Sequence, residues 1–171
     1  MMRAVDALHL PHVPALRRRP TQHGGPAPDG ERRGGVALCD ERLALDSNLA
    51  LRTALAFWAE LDGATSAQLD AAIDAMALGP LSSVPVRMLS TGQRKRAMLA
   101  RLIASDAAIW LLDEPGNGLD TASLDLLGHA VNRHLAAGGI VVAASHQPLP
   151  LAAPVTIALD EYRADDPVEP A

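Results

Sequence analysis

At 171 residues and 49% hydrophobic composition the chain is long enough for one domain with a sizeable core, and aromatics at 2% leave Leu and Ala to fill it. Cys39 stands alone, which excludes an internal disulfide and fits a reducing compartment, and no apolar run reaches the roughly 18 residues of a spanning helix. The formal charge of −5 hides an asymmetry: residues 1–35 carry six Arg against three acids, and the rest holds 9 basic and 17 acidic residues, so nothing in the body suggests a nucleic-acid groove.

Residues 1–35 do not read like the remainder. Pro11, Pro14, Pro20, Pro26 and Pro28 punctuate them, Arg17–Arg19 and Arg32-Arg33 form short basic clusters, and no periodic apolar pattern survives. The segment is expected to be disordered or mis-framed. From Val36 a patterned body begins and runs to Tyr162, with a frayed acidic tail over 163–171. Val36–Cys39 reads as a short strand. Asp46-Ser47-Asn48 offers caps for a helix carrying Leu49, Leu51, Leu55, Phe57-Trp58 and Leu61, with Gly63 ending it and Phe57-Trp58 expected in the core. Thr65 or Ser66 caps a second helix with Leu69, Ile73, Met76 and Leu78, closed by Gly79-Pro80.

Leu89-Ser90-Thr91-Gly92-Gln93 then opens a third helix in which Ala97, Leu99, Leu102 and Ile103 share a face. Ser90 is a good N-cap, and Gly92 lets backbone approach what lies above the first turn. Such a helix start suits an oxyanion; the bland alternative is a capped helix with a basic, solvated face at Arg94-Lys95-Arg96. Ile109–Leu112 is an apolar run without alternation, as expected of a strand covered on both faces. It ends in Asp113-Glu114-Pro115. Two adjacent carboxylates at the end of a buried strand are costly unless they meet a cation or a proton-transfer task. Asp113 is placed to hold Mg²⁺ and Glu114 to orient or deprotonate a water. Asn117–Asp120 is a tight turn ending in an acid. Thr121 starts a helix with Leu124, Leu127, Val131 and Leu135 on one side. Ile140–Ala144 reads as a second buried strand, ending in Ser145-His146, and Val155–Leu159 as a last one.

Those motifs, in that order, resemble the ABC-type ATPases. The resemblance makes Leu89–Gln93 the signature motif, with Thr91 in place of the commoner Gly, and Ile109–Asp113 the Walker B strand. Glu114 becomes the catalytic carboxylate, Asn117–Asp120 the D-loop and His146 the switch histidine that senses γ-phosphate. Phe57-Trp58, Gly116-Asn117-Gly118 and His146-Gln147-Pro148 narrow it to the branch of ATP-binding subunits that serve haem export in bacterial cytochrome c maturation. The resemblance covers about Val36 to Tyr162.

What it implies is an α/β fold of the P-loop NTPase (ABC ATPase) type: a mostly parallel sheet with a helical subdomain at 49–88, lacking the amino-terminal strands and phosphate loop. The implied ligands are ATP, with Ser90, Thr91, Gly92, Gln93 and Asp120 on the nucleotide side, and Mg²⁺ at Asp113. Implied partners are a second ATPase subunit, forming a dimer, and integral membrane transporter subunits, at the cytoplasmic face of the bacterial inner membrane. No GxxGxGK[ST] occurs in the 171 residues, and no Lys precedes Lys95. By the resemblance, the loop's strand is expected beside the Walker B strand, and a γ-phosphate-sensing Gln is expected where Asp40-Glu41-Arg42 stand. The competing reading is a non-catalytic pseudo-ATPase subunit with a regulatory or structural role. Because the loop supplies most contacts to the β- and γ-phosphates, the purified chain alone is expected to show no micromolar ATP affinity by titration calorimetry; a micromolar Kd contradicts this.

Overall fold

The computed structural model describes residues 35–40, 44–151 and 154–157. The expectations for residues 1–34, for Glu41-Arg42, for Ala158-Leu159 and for the tail over 163–171 lie outside the described residues; Val155 and Thr156 are not in a strand.

The elements in order are β1 (Val36–Cys39), α1 (Leu51–Leu61), α2 (Ser66–Ala75), α3 (Thr91–Ala104), β2 (Ile109–Asp113), α4 (Thr121–Ala136) and β3 (Ile140–Ala144), with single 3₁₀ turns at Gly79–Leu81 and Val86–Met88. The strands form one parallel sheet in the order β1-β2-β3, with Val36 opposite Ile109 and Ile109 opposite Ile140. All three strands therefore end on the same side, at Cys39, Asp113 and Ala144. β1 and β3 take both edges of β2, so the expectation that the phosphate-loop strand lies beside the Walker B strand is corrected. A further strand has only the outer edges of β1 and β3 to pair with.

The parallel register aligns two rows of side chains. Cys39, Trp110, Leu112, Val141 and Ala143 are buried, on the side where α3 packs on β1 and α4 packs on β3. The opposite row is Val36, Leu38, Ile109, Leu111, Ile140 and Val142. There Val36 and Leu38 are each 60% exposed and the others are half-buried. Coverage on both faces was expected; the described residues cover one.

Helices α1 to α3 form the helical part. α1 is not capped by Asp46, Ser47 or Asn48. Asp46 Oδ1 accepts the Asn48 N–H in a local turn, and the helix begins after Ala50, which makes no side-chain cap. Its first N–H groups go instead to the loop before α3: Leu51 N–H to Val84 O at 2.9 Å and Arg52 N–H to Ser82 O at 3.0 Å. The start of α1 is thus fixed by tertiary contact. α2 has the expected cap at Thr65, reciprocated by Gln68. It ends at Ala75, before Gly79-Pro80, because Ala77 takes a left-handed φ of +50°. Its last carbonyls, Met76 O and Ala77 O, accept from Arg96 Nη1 at 2.9 and 3.2 Å. α3 sits between α1, α2, β1 and α4. Leu99 and Leu102 are buried there, each contributing about 1.5–3 kcal/mol, so packing outweighs the roughly 1 kcal/mol of its amino-terminal cap. Phe57, expected in the core, is 60% exposed. Helical spacing puts Ala54, Leu55 and Ala59 inward and turns Phe57 out. Trp58 is half-buried, with Arg101 Cζ 3.5 Å above its ring centroid and its Nε1 donating to Ala44 O.

Gly128 lies in α4 against the chain that follows β3; a Cβ there would meet Pro150 O at 2.9 Å and Pro150 Cγ at 3.0 Å. Helix propensity alone favours Gly128→Ala by about 1 kcal/mol. Overpacking costs about 1–3 kcal/mol, and the obstacle is backbone, so the clash decides the sign. Gly128→Ala is expected to lower the urea midpoint; a raised midpoint refutes the contact.

Candidate active site

The carboxyl ends of β2 and β3 build the site. Asp113 is the last residue of β2 and is exposed. Glu114 leaves the strand with φ +43°, a left-handed conformation that a non-glycine residue holds only when its surroundings impose it. Those surroundings are visible. The Glu114 N–H donates to Ala144 O at 2.8 Å, and its carboxylate accepts the His146 N–H at 3.0 Å on Oε1 and 3.2 Å on Oε2. The His146 ring places Nε2 3.4 Å from Oε1, and Ser145 Oγ lies 3.5 Å from Oε2. Pro115, fully buried, anchors the next step of the chain. The Glu114 side chain is only 16% exposed, against 56% for His146. The result is a fixed, half-sheltered carboxylate beside an open one, with an imidazole over it.

The chain then turns. Asn117 N–H donates to Glu114 O at 3.1 Å, Leu119 N–H donates to Gly116 O at 3.2 Å, and Gly118 takes φ +74°. Asp120 N-caps α4, its Oδ1 accepting the Ser123 N–H at 2.8 Å. Bonds from the Ser123 hydroxyl and backbone stabilise the ionised form and hold the Asp120 pKa below the usual carboxylate value.

The signature segment stands across this turn. Ser90 Oγ accepts the Gln93 N–H at 3.2 Å, and Gln93 Oε1 accepts the Ser90 N–H at 2.9 Å, a capping box. That leaves Thr91 and Gly92 as the helix-start N–H groups without an intrahelical acceptor. Gly92 lies under the turn: a Cβ on it would be 3.0 Å from Gly118 O. The basic triplet is not a solvated face. Arg94 Nη2 donates to Arg87 O at 2.9 Å, Arg96 caps α2, and Lys95 is buried with Nζ 3.5 Å from Asp113 O.

The structure thus brings Asp113, Glu114 and His146 together. It places Ser90–Gln93 and Asp120 on the far side of the 115–118 turn, joined through Gly92 and Gly118. Two members escaped the sequence reading: Ser145, whose hydroxyl bonds Gln147 O at 2.9 Å and approaches Glu114, and Lys95. A lone lysine in the chain was the one signal for Lys95. Among the described residues no group of three His, Cys, Asp or Glu could hold a metal. A single open carboxylate at Asp113 suits Mg²⁺, which takes one or two carboxylates and completes its shell with water and phosphate.

A parallel α/β sheet with paired acids at the end of its central strand, and a histidine just past the end of the neighbouring strand, places these groups where open α/β sheets bind ligands. The family model described as "ABC transporter" matches residues 16–117, and the chain belongs to that family. It is 53% identical over 135 residues to the "Cytochrome c biogenesis ATP-binding export protein CcmA" of Zymomonas mobilis subsp. mobilis, covering 79% of this chain and 61% of that one. The protein of the same description from Novosphingobium aromaticivorans is 51% identical over 133 residues, covering 78% and 67%. The chain spans about three fifths of the length of the Zymomonas relative. A solved ATP binding subunit of an ABC transporter superposes with TM-score 0.60 at 22% identity, over 65% of this chain and 48% of that one, and cbiO1 from Clostridium perfringens with TM-score 0.52 at 24% identity, over 67% and 47%; both likenesses concern the fold.

A lowered carboxylate pKa gives a signed expectation. The stability that Asp120 contributes is present above its unfolded pKa and lost as pH falls through the lower folded value. Asp120→Asn keeps a capping side chain without the titration, so below about pH 4 its stability should fall less steeply with acid than the parent's. Parallel acid limbs in urea titrations at several pH values contradict the assignment.

Proposed function

We propose that the chain is the ATP-binding and hydrolysing component of an ABC transporter serving haem export for cytochrome c biogenesis. The single observation that carries the hydrolytic part is Glu114: a strained, left-handed residue whose carboxylate is gripped by the His146 N–H, next to an open Asp113. Strain of that kind is maintained where geometry matters. Glu114 holds the attacking water and takes its proton, and the His146 ring meets the γ-phosphate. Asp113 would hold Mg²⁺, which when bound would neutralise developing phosphate charge. Ser90, Thr91, Gly92 and Gln93, with Asp120 behind the turn, present the start of α3 to ATP carried on a phosphate loop of a second ATPase subunit. The helical part, with Phe57 outward, meets integral membrane subunits at the cytoplasmic face of the bacterial inner membrane. The export and cytochrome c assignments rest on what the relatives are called and on the identity to them.

In a version of the chain with a phosphate loop restored, assembled in the transporter, Glu114→Gln is expected to lower kcat by about 10²–10⁴-fold while nucleotide stays bound. Turnover equal to the parent's removes Glu114 from catalysis and favours a non-catalytic subunit.

A further inference from the structure

Lys95 is the only lysine among 171 residues, against fourteen arginines, and it is 6% exposed. A buried ammonium is costly unless it meets acceptors. Among the described residues the acceptor it approaches is Asp113 O, at 3.5 Å, a contact longer than a usual hydrogen bond. That carbonyl and the Glu114 N–H belong to the same peptide unit. The N–H end donates to Ala144 O at 2.8 Å. One peptide plane is therefore held from both sides, by α3 on one and β3 on the other. The orientation of this plane sets ψ of Asp113 and φ of Glu114, and φ of Glu114 is the strained +43°. A left-handed non-glycine persists only where its surroundings impose it, and a cationic donor on the carbonyl of its peptide is one such constraint. Gly92, one turn earlier on α3, packs under Gly118 O, so the same helix also touches the chain just beyond Glu114.

We propose that Lys95 is a positioning residue that fixes the Asp113–Glu114 peptide and so ties the orientation of the Glu114 carboxylate to the placement of the LSTGQ helix. The inference deepens the hydrolytic reading and rests on it for its functional consequence. Movement of α3, which carries the signature at its amino end and Lys95 one turn on, shifts the donor that holds the peptide.

The test uses the full chain. Uniform ¹⁵N,¹³C labelling resolves the Asp113 carbonyl and the Glu114 backbone. In the parent, Glu114 should show left-handed backbone shifts. Lys95→Met should move the Asp113 carbonyl ¹³C resonance and shift Glu114 towards negative φ; Lys95→Arg, which keeps a cationic donor, should restore both. In the loop-restored chain assembled in the transporter, Lys95→Met should lower kcat by about 100-fold at unchanged KM. If the Met variant does not fold, Lys95→Gln takes its place, its shorter neutral donor moving the Asp113 carbonyl resonance. A parent in which Glu114 lacks left-handed shifts, or a folded Met or Gln variant with unmoved Asp113 and Glu114 resonances, overturns the inference. Full turnover of Glu114→Gln overturns the hydrolytic reading instead and leaves the spectroscopic result standing.

Discussion

The peptide between Asp113 and Glu114 is the joint on which the site depends. β2 must end there, because the strand's ladder to β3 stops at Asp113 opposite Ala144. The next residue then turns left-handed and sends its carboxylate towards β3 instead of continuing up the strand. Without that turn the two acids would alternate to opposite faces of the sheet, as successive strand residues do. With it, one carboxylate stays open and the other is folded back under His146. Two chemically identical groups acquire different surroundings within one residue, which is how a pair of acids comes to divide the tasks of holding a cation and handling a proton.

The same joint ties the helical part to the sheet. α3 buries Ala97, Leu99, Ala100 and Leu102. Its first three cations reach protein acceptors. Arg96 closes the end of α2, Arg94 ties the preceding loop, and Lys95 reaches the strand end. The loop before α3 supplies the carbonyls that start α1. α3 therefore touches α1, α2 and the Asp113–Glu114 peptide at once. The sheet's second apolar row, with Val36 and Leu38 open, takes no part in this network.

Strands and helices were legible where a local pattern and a local need coincide. Ile109–Leu112 and Ile140–Ala144 are apolar runs of strand length, and Ser90 with Gln93 three residues on is a cap that closes on itself. What failed depended on distant chain. Nothing near Asp46–Asn48 announces that α1 will be started by carbonyls more than thirty residues later. A run of Arg-Lys-Arg looks solvated until the carbonyls that receive it are in place. Coverage of a strand's second face is likewise decided by other segments. The candidate site divides in the same way: its residue types stand in the sequence, but the left-handed φ of Glu114 and the grip of the His146 N–H on its carboxylate arise only when β2 and β3 are paired.

The inward turn of the cations also decides how the start of α3 can meet an anion. Three basic residues after the signature suggest attraction by charge, yet each is spent on a backbone carbonyl or buried. Gln93 N–H is taken by Ser90 as well. What remains at the exposed end is the pair of N–H groups of Thr91 and Gly92 and the half-charge of the helix dipole, an attraction of about 0.3–1 kcal/mol for an exposed anion. That is too weak to capture a nucleotide unaided, but enough to discriminate between positions of a phosphate already held elsewhere. Gly92 is then required twice: its missing Cβ admits the turn at Gly118 from one side and leaves its N–H open on the other. A side chain there would push apart the two segments that link the signature to Glu114, so the weakness of the anion contact and the tightness of the packing beneath it are parts of one arrangement.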